Sequence, residues 1–162
     1  MTPPGDGQGR CFRYQDIGHL VLGTFTSPLT DAAFEAFLGD LDVIYQRRKR
    51  FVFVLDASRM PDVSVPQRRR QAQWMKENEA LFRRYLIGVA FVFSSPALRF
   101  VLSSIFLMRP LPVPYTVCST QEEALAWAGQ ALRKAGIEPA PMLVQARARP
   151  AARDVRPGTQ AL

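Results

Sequence analysis

The sequence predicts an α/β domain built on a mixed sheet of about five strands, in the order β-β-α-β-α-β-α-β-α, with helices packed on it. Two continuous apolar runs, residues 51–55 and 86–93, are rich in β-branched and aromatic side chains, the composition of strands buried on both faces. The stretches around them repeat apolar residues at three- and four-residue steps, the period of an amphipathic helix. Ser or Thr precedes each such stretch, in position to cap its N-terminus. Strands alternating with helices call for parallel neighbours joined by crossovers.

Residues 1–9 are Pro- and Gly-rich and read as a flexible leader. Residues 11–15 and 19–26 form two short strand signals around a break at Asp16, Ile17 and Gly18, so the domain opens on a hairpin. Ser27, Pro28, Thr30 and Asp31 start the first helix, whose apolar stripe is Phe34, Phe37, Leu38, Leu41 and Ile44. Its end is marked by Arg47, Arg48, Lys49 and Arg50, cations that offset the carbonyl end of the helix dipole. After the strand at 51–55, Ser64, Val65, Pro66 and Gln67 have the form of a capping box, and one helix is expected from there to Tyr85. Its stripe is Trp74, Leu81, Phe82 and Tyr85, with Asn78 as the exception. Ser94, Ser95 and Pro96 start the third helix after the strand at 86–93, and Pro110 stops it. A short strand at 115–118 and a last helix after Ser119 and Thr120 complete the series. From residue 136 to 162 Pro, Ala and Arg dominate without hydrophobic period, the composition of a disordered tail.

At 162 residues with 48% hydrophobic side chains, the chain has enough material for one core, here assigned to residues 10–135. Lys and Arg number 21 against 14 Asp and Glu, a net charge of +7 that favours acidic partners. Cys11 and Cys118 lie far apart, without the dense spacing of a disulfide scaffold, which points to a reduced, cytoplasmic setting. The start of the chain lacks the basic and apolar regions of a signal peptide, and no run reaches the length of a spanning helix.

The opening hairpin, the strand ending at Asp56, the capped helix after Ser64, the strand at 86–93 and the last helix with Thr120, Gln121, Glu122, Glu123 and Ala124 together resemble the STAS superfamily. That superfamily includes bacterial anti-sigma-factor antagonists and domains akin to the lipid-binding Sec14 fold, and the resemblance covers residues 11–135. It implies a non-catalytic regulatory or scaffold domain that binds another protein or itself. It also implies an alternative, Sec14-like binding of a lipid or other apolar ligand through the third helix. In phosphorylatable members the switch is a Ser or Thr in an Asp-Ser-x-Gly-like turn. Asp62 and Ser64 stand at about that place, with the glycine missing and one residue inserted.

The residues themselves offer little chemistry. The only histidine, His19, falls in the second strand signal without a nucleophile beside it, and one His with two distant Cys has no zinc spacing. The loops after Leu55 and Phe93 contain no glycine, so neither a phosphate-binding loop nor a dinucleotide fingerprint is present. No enzyme activity, metal or cofactor is therefore expected. Ser64 reads first as a plain N-cap, since Ser is a preferred cap, and the N-termini at Ser64 and Ser95 could hold an anion. Arg68, Arg69 and Arg70 form a basic patch for an anionic ligand or lipid, or simply a solvated face; without interleaved aromatics no specific nucleic-acid binding is expected. The third helix is the most informative feature. Leu98, Phe100, Val101, Leu102, Ile105, Phe106, Leu107 and Met108 cover nearly its whole circumference, so it is either deeply buried or meets a partner. Arg99, Phe100, Phe106 and Leu107 are the residues expected to bind.

Overall fold

The computed structural model describes residues 10–26, 29–60, 62–141 and 154–155. The leader and most of the Pro/Ala/Arg-rich tail lie outside the described residues. The chain forms β1 (Phe12–Ile17), β2 (Leu20–Phe25), α1 (Asp31–Gln46), β3 (Phe51–Asp56), α2 (Val65–Glu77), α3 (Glu79–Tyr85), β4 (Leu86–Val92), α4 (Pro96–Met108), β5 (Tyr115–Cys118) and α5 (Gln121–Lys134). Asp154–Val155 adds a two-residue β6 beside β5. The sheet runs in sequence order, with β1 antiparallel to β2 and β2, β3, β4 and β5 mutually parallel. The expected mixed α/β architecture is the observed one.

Two local expectations change. The hairpin turn is one step later than the break in the sequence, at Gly18 and His19, because Gly18 supplies the positive φ of 65° that the turn requires. His19 therefore leaves the strand, and its Nδ1 lies 2.6 Å from the carbonyl oxygen of Arg50. A carbonyl only accepts, so Nδ1–H donates and ties the turn to the chain entering β3. The helix expected from Ser64 to Tyr85 is two helices, divided at Asn78, whose backbone N–H and Nδ2 both donate to the carbonyl of Trp74. The polar interruption in the stripe is thus the end of α2.

Side chains alternate across the strands and build two cores. Val21, Phe51, Phe53, Val89 and Phe91 face α1, α2, α3 and α4, where the rings of Tyr45, Trp74 and Phe82 pack at tilted angles with centroids 5.1–6.0 Å apart. Leu20, Val52, Val54, Ala90 and Val92 face α5 and its Trp127. Gly88 lies under that indole: a Cβ there would stand 2.7 Å from Trp127 Cη2 and 3.0 Å from the Pro114 carbonyl. Gly88→Ala should therefore lower stability by about 1–3 kcal/mol through overpacking. Gly39→Ala, on the exposed side of α1 with open space at its Cβ, should raise it by about 0.5–1 kcal/mol. Urea unfolding midpoints of the two variants should move in opposite directions.

Candidate functional site

α4 begins where Ser95 Oγ accepts the N–H of Leu98 and Pro96 occupies the first turn. Leu98 and Ile105 are buried, and Val101, Leu102 and Phe106 are half-buried beside them, closing the sheet face. The opposite side of the helix is also apolar. Phe100 is 66% exposed, Leu107 75% and Met108 46%, and the residues between them on that side, Ala97, Ser103 and Ser104, carry no charge. A helix on a soluble surface normally presents polar residues there. One face of the third helix is thus buried against the sheet and the other is exposed.

Of the residues expected to bind on this helix, Phe100 and Leu107 stand outward together, with Arg99 exposed at their edge. Phe106 lies on the inner side, against Phe91 and Tyr115 with ring centroids at 6.1 and 5.1 Å, where it lines the apolar pocket and not the outer surface. Met108, not singled out from the sequence as a binding residue, is exposed at the end of the same helix.

Ser64 caps α2 with the complete box. Its Oγ accepts the N–H of Gln67 at 3.2 Å, and its own N–H donates to Gln67 Oε1 at 3.1 Å. Gln67 does more than its spacing announced. Though only 6% exposed, it donates from Nε2 to Leu29 O and to Asp31 Oδ1, joining the starts of α1 and α2. Asp62 is exposed two residues before the cap.

Arg68, Arg69 and Arg70 diverge and do not share one face. Arg70 pairs with Glu35 on α1 at 2.9 Å, which raises its already high pKa. Arg68 reaches α4, donating to Ser104 Oγ at 3.1 Å with its guanidinium 5.6 Å from the Phe100 ring centre. Arg69 is exposed. The first-helix cluster is also divided: Arg47 pairs with Asp16 and donates to Ile44 O, while Arg48, Lys49 and Arg50 are exposed.

An apolar cavity of about 130 Å³ lies between the sheet and α1, α2, α3 and α4, with Val101, Leu102, Ile105 and Phe106 in its wall. Burial raises the pKa of the Cys11 thiol, whose Sγ donates to Ala33 O, and raises Tyr45 well above the usual phenol value. Both groups stay protonated at neutral pH. Among the described residues no cluster of His, Cys, Asp or Glu could hold a metal ion, and no helix is long and apolar enough to cross a membrane.

Removing the cap with Ser64→Ala should cost about 1 kcal/mol, and Ser64→Asp should cost little, since a carboxylate caps as well and favours the helix N-terminus. Gln67→Ala should cost about 2 kcal/mol because it strips partners from two helix starts. Urea unfolding of the three variants gives the ranking. Compared with protein-family models and with curated proteins, the chain matches none.

Proposed function

We propose that this chain is a non-catalytic, STAS-like regulatory or scaffold domain that works by binding another protein or a second copy of itself through the outer face of α4. The carrying observation is that Phe100 and Leu107, two turns apart on one side of α4, and Met108 at its end are exposed on a helix whose opposite face is committed to the core. Exposed aromatic and aliphatic side chains grouped this way are what a partner buries, and a few of them supply most of the binding energy. The Ser64 cap lies on α2, the helix that meets α4 through Arg68 and Ser104, so a charge added at Ser64 would act beside the same surface.

A second reading draws support from the cavity. A small apolar molecule held under α4 would make the domain a ligand carrier in the manner of Sec14-like proteins. A volume near 130 Å³ compares with cavities of about 150 Å³ that accept benzene. A long acyl chain needs several times more, so lipid binding would require α4 to move outward.

Phe100→Asp and Leu107→Asp should each weaken partner or self-association by tenfold or more while shifting the thermal midpoint by no more than about 2 °C, because both side chains are exposed. Light scattering before and after the changes reads self-association, and quantitative capture from cells reads a different partner. A monomer that captures the same proteins with and without the substitutions would sink the protein-binding reading. For the ligand reading, native mass spectrometry of freshly purified chain should show an apolar adduct that Val101→Phe, filling the cavity, removes. Bare chain mass in the unsubstituted protein counts against it.

A further inference from the structure

All the crossover helices run opposite to the parallel strands, so their C-termini gather at the end of the sheet where β3, β4 and β5 begin. α2 has 13 residues and rises about 20 Å, roughly the span of a six-residue strand, so α3 starts where that end of the sheet is reached. The polar ties agree. Arg109, just after α4, pairs with Glu79 at the start of α3, and Arg83 pairs with Glu79 as well. Asp16 is occupied by Arg47.

With those acids engaged, Arg48, Lys49, Arg50, Arg84 and Arg133 remain without an ion pair among the described residues. Arg48 and Arg84 flank a surface groove whose other walls are Ala80, Leu81 and Tyr85. The Arg84 guanidinium sits 5.5 Å from the Tyr85 ring centre. Arg48 has φ of 53°, the left-handed conformation that glycine adopts without cost and that a side chain disfavours. The chain thus accepts backbone strain at the helix end and gains a cation at the groove, the pattern of strain retained at a working position.

We propose that this end of the sheet docks on an anionic phospholipid bilayer, with Arg48 and Arg84 holding headgroup phosphates on either side of Leu81 and Tyr85. Cations around an apolar floor reproduce the polarity gradient of a bilayer interface, where tyrosine settles and arginine keeps its head among the phosphates. The cations come from the ends of separate elements and spread over one end of the domain, which suits a flat charged surface. A single-stranded nucleic acid would call for a row of exposed aromatics, whereas Tyr85 is half-buried beneath Arg84. The residues are distinct from the α4 row.

Co-sedimentation of the full chain with vesicles of phosphatidylcholine mixed with phosphatidylglycerol tests this. The chain should bind the mixed vesicles at low salt, release from them as salt rises, and ignore pure phosphatidylcholine. Loss of charge in Arg48→Gly, which also relieves the left-handed strain, and in Arg84→Gln should weaken binding roughly fivefold each. Both variants should stay folded. Arg59→Gln, the same loss of charge in the exposed loop after β3 at the other end of the sheet, should bind as the unsubstituted chain does. No binding to the mixed vesicles, no loss in the two arginine variants, or an equal loss in Arg59→Gln would overturn the proposal. So would a short DNA or RNA that binds more tightly than the vesicles at the same salt and depends on the same arginines.

Discussion

The constraint from which the rest follows is the placement of β3 between two parallel neighbours. Parallel pairing forces the chain to cross back over the sheet between each strand and the next, and the sheet order shows that every step goes the same way. Crossovers of one hand that step in one direction all lie on one face. α1, the α2 and α3 pair, and α4 therefore crowd together, and among the described residues α5 alone covers the opposite face. Because β3 and β4 are buried on both sides, α5 must pack closely, and Gly88 beneath Trp127 is what lets it do so.

The same constraint sorts the polar residues. Helix N-termini collect at one end of the sheet, where Thr30, Ser64, Ser95 and Thr120 each place an oxygen on a backbone N–H. Helix C-termini collect at the other, where cations are favoured by the dipole. Among the described residues, exposed cations such as Arg48, Lys49, Arg50 and Arg84 accordingly stand at helix ends on that side. The arginines of α2, which look like one cluster when read along the chain, are divided by the helix turn between Glu35 on one side and Ser104 on the other, whereas cations distant in sequence converge at the sheet end.

That difference explains what was legible beforehand. Strand runs, helix periods and caps are local patterns, and the sheet, the capping box at Ser64 and the doubly apolar α4 were all readable from them. Asn78 could be seen interrupting a stripe, but only its non-helical backbone, φ −111° and ψ 13°, makes it an end. Phe106 and Phe100 were indistinguishable as apolar residues on one helix; which of them faces Tyr115 depends on how α4 is rotated against β5. The groove between Arg48 and Arg84 joins residues of α1 and α3 ends, and the positive φ of Arg48 has no compositional sign, since glycine is the usual residue there.

α4 is the last crossover helix, next to a sheet edge that β6 extends by two residues, and it has α2 on one flank. Its inner face borders an apolar pocket of about 130 Å³. Polar ties hold the helix through Ser104 to Arg68 and just past its end through Arg109 to Glu79. A partner on Phe100 and Leu107 and a molecule in the pocket would meet the same helix from opposite faces, because its inner residues line the pocket while those two stand outward.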